Sequence, residues 1–543
     1  MITLIQCQQL SHCVSTRPLF SDLQFTISST DKIGLVGYNG CGKSTLFSLL
    51  NLRTEPDEGE VAHGSQLRLE TVEQFISPAL LTMTLAEAVA DKLPEEEKSW
   101  RDYQVGQILT ELAFEPDQFD FRVSDLSGGQ QNRLMFARAM INEPNLILFD
   151  EPTNHLDLAT ILLFEQYLQN FNGAFVLISH DRAFLDAVTN RTLFLRDQTI
   201  HSFDLPYSLA RAALEARDEA DAQRLAVEEK TISRLKVSQK RIDSWARAHE
   251  SEKLARKAKS MEKRIEKLEA DKTQVTQGSQ WQLNLEVRSS RANRLLQIEN
   301  QVIHSPGAQP VPLFSIDDFF IRPGERVALL GHNGTGKTSL ISQIISGYAG
   351  QHQTVIFNPQ CKIGYYDQEL GQLPGNATII GAVRSACPGK EDDYRNALIK
   401  TGFAWQEFDK PVSVLSGGEK ARLMFLIIRM NQPNFLILDE PTNHIDIYGK
   451  EALEEELLSS GATLLLTSHD RAFMDAVAQR YVLIHNGKLQ EIDDPAQFYN
   501  LERPAPASNV AAQQIEPNPN PAASVTSTSS DSGEEILQRI LTL

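Results

Sequence analysis

The sequence predicts an α/β fold laid down twice in one chain, the two copies joined by a long charged α-helical hairpin. Three observations lead there. Four short motifs recur in the same order about 290 residues apart, and an internal repeat decides architecture before any single motif does. Apolar, β-rich runs precede the motif loops and helix-period stretches separate them, the pattern of a mostly parallel sheet with its loops at the strand C-termini. Between the copies, residues 207–277 contain no Gly or Pro and are dense in Ala, Glu, Lys and Arg, a strongly helix-forming composition.

The first copy occupies about 1–205. The run Ile33-Gly34-Leu35-Val36 leads into Gly37-Tyr38-Asn39-Gly40-Cys41-Gly42-Lys43-Ser44, with Thr45 just beyond. This is GxxxxGK[ST] between a strand and a helix: the glycines let backbone N–H groups converge on phosphate oxygens. Lys43 reaches the outer phosphates, and the Ser44 hydroxyl is placed to ligate Mg²⁺. Leu146 to Phe149 then delivers Asp150, placed to hold the same ion through water, and Glu151, placed to orient or deprotonate the attacking water. Phe175 to Ile178 delivers Ser179-His180-Asp181, and His180 is assigned to the γ-phosphate. Ser127-Gly128-Gly129 opens a predicted helix, a second anion site. That surplus makes sense if it covers a nucleotide held by the other copy.

The second copy, about 291–500, repeats each part. Gly331-His332-Asn333-Gly334-Thr335-Gly336-Lys337-Thr338, with Ser339 beyond, matches the phosphate loop. Asp439 and Glu440 match Asp150 and Glu151, Ser416-Gly417-Gly418 matches the second anion site, and His469 matches His180. The separation from Asp150 to His180 equals that from Asp439 to His469. Each His is therefore read as a γ-phosphate contact rather than a structural residue.

In the joining segment, 206–290, Leu254, Ala258, Met261, Ile265 and Leu268 follow a 4-3-4-3 spacing, and Ile232, Leu235 and Ile242 a 3-7 spacing. Both place one apolar seam on a charged helix. Two antiparallel helices of roughly 30 residues, each roughly 45 Å long, reversing near 244–252, are expected. Residues 501–543, rich in Pro, Ala, Ser, Asn and Thr, read as a disordered tail; Gly533 to Leu543 is a possible short amphipathic helix.

Composition bounds the rest. The chain is 41% hydrophobic and 23% charged, as soluble globular proteins are, and no run approaches the roughly 18–20 apolar residues of a membrane span. The start lacks the basic head and apolar run of a signal peptide, so a cytoplasmic protein is expected. Five cysteines form no CxxC pair, which argues against a zinc or iron–sulfur module. A net charge of −19 argues against a general nucleic-acid coat, but residues 230–267 hold 13 Lys or Arg against 5 acids. An acidic body carries one basic projection.

With these motifs the chain resembles the ATP-binding cassette superfamily over nearly all of residues 1–500. The resemblance implies ATP with Mg²⁺, Gln74 and Gln368 as Q-loop residues near the ion, and Asn154-His155-Leu156-Asp157 and Asn443-His444-Ile445-Asp446 as D-loops across the interface between the copies. It implies two composite sites. Site 1, built on Lys43, would face Ser416 to Gly418; site 2, built on Lys337, would face Ser127 to Gly129. Two departures stand out. The adenine-stacking aromatic is missing, with Val14 beside His12 and Cys13 in one half and Val302, Ile303 and His304 in the other. The second signature ends in Glu419 where the first has Gln130.

Tandem cassettes, Asn-His-[Leu/Ile]-Asp after each carboxylate pair, and the linker phrase from Glu252 to Arg264 are similar to subfamily F, the ribosome-associated translation ATPases. That resemblance implies a monomeric clamp in the ribosomal exit site. Its hairpin would touch rRNA and the P-site tRNA through Lys253, Arg256, Lys257 and Lys259. Gln74 to Leu126 and Gln368 to Leu415 are nearly equal spans, which leaves no room for a further inserted arm. The rival readings are an ATPase subunit of a membrane transporter and a remodeller of DNA or assembling ribosomes.

Overall fold

Short apolar runs that are buried on both faces need a sheet covered on both sides, and the two lobes meet that need in the same way. The computed structural model describes residues 2–14, 17–72, 76–98, 100–153, 156–248, 252–270, 293–307, 310–350, 354–443 and 445–502. In the first lobe β1 (Thr3–Val14), β2 (Arg17–Ser28) and β4 (Glu58–His63) form an antiparallel sheet in the order β2-β1-β4. A second sheet runs β5-β6-β7-β3-β8-β9, from β3 (Lys32–Gly37), β5 (Leu69–Val72), β6 (Leu146–Asp150), β7 (Ala174–Ile178), β8 (Arg191–Arg196) and β9 (Thr199–Phe203). Its strands are parallel except for the edge strand β9.

The helices of this lobe are α1 (Lys43–Leu50), α2 (Leu85–Ala90), α3 (Glu95–Lys98), α4 (Asp102–Glu111), α5 (Gly128–Met140), α6 (Leu158–Asn170) and α7 (Arg182–Val188). Among the described residues between the first Q-loop and signature the longest helix is α4, with 10 residues, and no extended arm is seen among them. Because β6, β7 and β3 are neighbours and parallel, their C-terminal ends bring Asp150, Ser179 and Gly37 to one edge of the sheet. Ligands of such sheets bind there.

The joining helices are α8 (Tyr207–Ala248, 42 residues) and α9 (Glu252–Ala270, 19 residues). The first exceeds the expected 30 and spans about 63 Å, because nothing between Pro206 and Ala248 interrupts it. An ion pair from Lys236 to Glu269 (2.5 Å) fixes the antiparallel register. The expected seam is real: Ile232, Ala258 and Ile265 are buried, and Leu235, Ile242, Leu254, Met261 and Leu268 half-buried. The expected reversal falls on residues 249–251, outside the described residues, as do 271–290.

The second lobe merges its two sheets into one of nine strands, β13-β10-β11-β18-β17-β12-β16-β15-β14. These are β10 (Leu296–His304), β11 (Pro312–Ile321), β12 (Arg326–Leu330), β13 (Val355–Phe357), β14 (Ile363–Tyr366), β15 (Phe435–Asp439), β16 (Thr463–Thr467), β17 (Arg480–His485) and β18 (Lys488–Ile492). One short parallel contact, Ser315 opposite Lys488, makes the join. The first lobe has the matching contact, Ser21 N–H to Gln198 O at 2.9 Å. The second lobe's helices are α10 (Lys337–Tyr348), α11 (Ile379–Ala386), α12 (Glu391–Lys400), α13 (Gly417–Asn431), α14 (Ile447–Ser459), α15 (Arg471–Val477) and α16 (Ala496–Glu502). Residues 503–543, with the expected tail helix, lie outside the described residues.

The lobes interlock. Ile447 and Tyr448 of α14 sit in an apolar cluster with Phe136, Phe164 and Tyr207 of the first lobe and linker. Leu158 and Leu162 of α6 sit in the second lobe's cluster with Leu453 and Phe473.

Candidate functional site

Each phosphate loop is a turn that only glycine permits at two points. Gly40 and Gly42 have φ of 76° and 103°, and Gly334 and Gly336 have φ of 79° and 102°, left-handed values that L side chains rarely adopt. A Cβ on Gly42 would also lie 2.6 Å from the Phe20 ring. Lys43 and Lys337 open α1 and α10. Each ammonium turns back over its loop, Lys43 Nζ donating to Gly37 O (2.9 Å) and Lys337 Nζ to Gly331 O (2.7 Å). The helix N-terminus and the Lys together make a positive cradle.

The carboxylate pairs stand beside the loops. Burial raises Asp150 above the usual carboxylate range, and a hydrogen bond from the Ser44 hydroxyl opposes the rise. Asp439 is raised for the same reason, opposed by Thr467 and Thr338. Thr467 Oγ1 donates to Asp439 Oδ1 at 2.6 Å, while Oδ2 is buried with no hydrogen-bond partner among the described residues. A buried carboxylate oxygen left over beside a threonine hydroxyl is a hard-oxygen donor set that fits Mg²⁺. Gln368 lines the same cleft; Gln74 lies outside the described residues.

Glu151 and Glu440 take left-handed backbones, φ 51° and 49°, rare for non-glycine residues. Their N–H groups donate to Ile178 O (3.0 Å) and Thr467 O (3.1 Å), and the side chains stand beside His180 and His469. His180 Nε2 lies 3.0 Å from Glu151 Oε1. Burial holds His180 below the usual imidazole range, against the raising effect of Glu151. In the second lobe His469 N–H donates to Glu440 Oε2 (3.1 Å), and Nε2 stands 3.6 Å from Oε1.

The signatures cap helices. Ser127 caps α5 and Ser416 caps α13, each accepting from the backbone N–H three residues on. Gln130 and Glu419 return the favour, accepting from Ser127 N–H (2.9 Å) and Ser416 N–H (2.8 Å). Glu419 therefore replaces Gln130 as the reciprocal acceptor of a capping box. It also accepts from Ser416 Oγ at 2.7 Å.

A cleft of 1780 Å³ between the lobes is lined by Asn39, Gly40 and Cys41, by Ser416, Gly417 and Gly418, and by Lys337, Thr338, Glu151, Glu440, His180 and His469. Parts of both phosphate loops and the second signature line this one cleft, while Lys43, Ser44 and Asp150 do not. Ser127 to Gly129 do not line it. Asp446 reaches across, its Oδ2 accepting the Asn39 N–H at 2.9 Å. Asn154, His155 and His444 lie outside the described residues.

Sequence reasoning missed the far end of the cleft. Val14 and Val302 do not line it; Pro18, Leu19 and Leu313 do. Leu19 and Leu313 stand over Gly42 and Gly336, the last glycines of the loops. The signal was present: Pro-Leu-Phe-Ser occurs at Pro18–Ser21 and Pro312–Ser315, with the same offset as Lys43 and Lys337. On α9, Lys253, Arg256, Lys257 and Lys259 are all exposed, and no described helix is long and apolar enough to cross a membrane.

The family described as ABC transporter matches residues 20–154 and 315–443. The probable ATP-binding protein YheS of Escherichia coli K12 is 30% identical over 520 residues, covering 89% of this chain and 79% of that protein. The ribosome protection protein VmlR of Bacillus subtilis is 29% identical, covering 91% and 89%. ABC transporter F family member 5 of Arabidopsis thaliana is 29% identical, covering 89% and 75%. Among solved structures, the archaeal ribosome recycling factor in complex with the ribosomal stalk protein aP1 superposes with a TM-score of 0.60 at 16% identity, covering 89% of each chain. Two cassettes with matched phosphate loops, the interlocking lobes and these relatives lead to one family: the chain belongs to the ATP-binding cassette superfamily, as a tandem ATPase of the subfamily F type.

Proposed function

We propose that the chain is an ATP-hydrolysing translation factor whose closed clamp acts on the ribosome. Residues 1–205 and 291–500 are the ATPase domains, 206–290 the recognition hairpin, and 501–543 a tail. In site 1, Lys43 and the loop amides of Gly37 to Thr45 hold the phosphates. In site 2, Lys337 and the amides of Gly331 to Ser339 do so. Ser44, Gln74 and Asp150, and Thr338, Gln368 and Asp439, hold Mg²⁺, which neutralises phosphate charge when bound. Glu151 and Glu440 orient the attacking water, and His180 and His469 position them from one side. Ser416 to Gly418 and Ser127 to Gly129 close the two sites in trans. The flank at Leu19 and Leu313 is aliphatic, so phosphate contacts carry the affinity and base selectivity is modest.

The observation that carries the ribosomal reading is the exposed basic row Lys253, Arg256, Lys257 and Lys259 on a hairpin projecting from an acidic body. Phosphates of folded RNA are its natural target, giving shape-dependent, salt-sensitive binding. The printed name of the B. subtilis relative, a ribosome protection protein, supports the same assignment. Combining Glu151→Gln with Glu440→Gln is expected to hold ATP uncleaved and carry the protein into the ribosome peak of a lysate gradient. Reversing the four basic residues to Glu removes it from that peak while ATP binding persists. Migration with membranes, or as free protein in the presence of ATP, refutes the assignment.

A further inference from the structure

Helices α6 and α14 make reciprocal crossings between the lobes, and their capping residues Asp157 and Asp446 put them in register. Glu165 corresponds to Glu454, and both form buried ion pairs, with Arg471 and Arg182 respectively. Leu158 and Ile447 also match, but three other crossing positions do not. Opposite Tyr448, Lys450 and Glu451 stand Ala159, Ile161 and Leu162. One half of the interface is polar where the other is apolar.

Lys450 is the decisive difference. Its side chain is 7% exposed, and its ammonium donates to His180 O at 2.8 Å and to Asp470 Oδ2 at 2.7 Å. Asp470 directly follows His469. One buried cation therefore spans the switch loops of both sites. Its counterpart Ile161, 3% exposed, offers no such tie to the second lobe. The switch loops differ accordingly. His180 Nε2 is 3.0 Å from Glu151, whereas His469 Nε2 is 3.6 Å from Glu440. The ammonium also neutralises a crowded pair: Asp181 and Asp470 are both buried, and burial and the Asp470 charge push Asp181 up to about 6. Removing the ammonium would leave the buried Asp470 carboxylate without its cation.

We propose that Lys450 is a positioning residue acting in trans on site 1: it fixes the His180 switch loop against Glu151 from the opposite lobe, makes the two sites unequal, and ties site 1 to the switch loop of site 2. This rests on the reading of both sites as ATPases. The test is steady-state turnover of the full chain carrying Glu440→Gln, in which site 1 alone cleaves ATP. Lys450→Met is expected to lower kcat at least tenfold with KM within twofold, and Lys450→Arg to recover it to within threefold. The loss should add nothing to that of His180→Ala, the signature of a residue working through His180. If Lys450→Met does not fold, Lys450→Gln is read in the same way. Unchanged kcat, a loss shared between kcat and KM, no recovery by Arg, or multiplication with His180→Ala overturns the role while leaving the ATPase reading intact. A wild-type chain that binds ATP without turnover refutes that reading, and the inference with it.

Discussion

Glu151 and Glu440 hold left-handed backbones that cost roughly 1–3 kcal/mol each, and the same strain at the same place in both lobes marks a shared task. The switch loops show how single residues tune this region. Asp181 caps α7, accepting from Phe184 N–H at 2.9 Å, yet burial and Asp470 raise its pKa to about 6. The folded chain therefore favours protonated Asp181. That contribution is complete below the unfolded value of about 4 and is lost as pH rises through about 6. Asp181→Asn keeps the cap and does not titrate. Its thermal midpoint should match wild type near pH 4 and exceed it above pH 7. A difference of constant size between pH 4 and pH 8 in paired melting curves would show that Asp181 does not titrate there. The titrating groups were visible in the sequence, but the proximity of Asp181 and Asp470 was not: it arises between lobes.

At the scale of elements, the hairpin was legible because its apolar spacing survives as a packed seam. Ile232, Ala258 and Ile265 are buried where a 3.5-residue repeat puts them. Its proportions were not, since helix length depends on where the chain stops packing and no Gly or Pro marks that point. Placing a carboxylate in the seam with Ile265→Asp forfeits roughly 1.5–3 kcal/mol of burial and adds a charge to an apolar contact. Limited proteolysis should then cut within 207–270 at least tenfold faster, with the cassettes intact. Equal cleavage rates would mean the seam does not hold the helices together. The crossing helices were harder to foresee. Lys450, Glu451 and Glu454 read as a charged helix face destined for solvent, and their partners His180, Tyr207, Arg211 and Arg182 lie more than 200 residues away.

For the molecule as a whole, the repeat made the two lobes plain, and parallel strand order made their loop edges plain. What one sequence does not display is that each lobe completes the other's core. Leu158 and Leu162 on one side and Ile447 and Tyr448 on the other are buried in the opposite lobe. Each represents roughly 1.5–3 kcal/mol of burial. Residues 1–205 or 291–500 expressed alone should self-associate and lose more than 90% of turnover per site, about the tenfold that 1.4 kcal/mol represents. A monodisperse single lobe with undiminished ATPase activity would contradict the composite sites.

The foot of α8 is clamped by Tyr207 OH on Glu451 (2.9 Å), by Arg211 on the same carboxylate (3.0 Å) and by Arg196 on Asp218. Glu451 lies on the helix capped by Asp446, which also touches the phosphate loop at Asn39. A rod about 63 Å long, pivoted there, multiplies motion: a tilt of roughly 5° sweeps its far end through about 5 Å. By geometry alone, a small tilt at that foot would displace the far end of α8 by about the length of a helical turn.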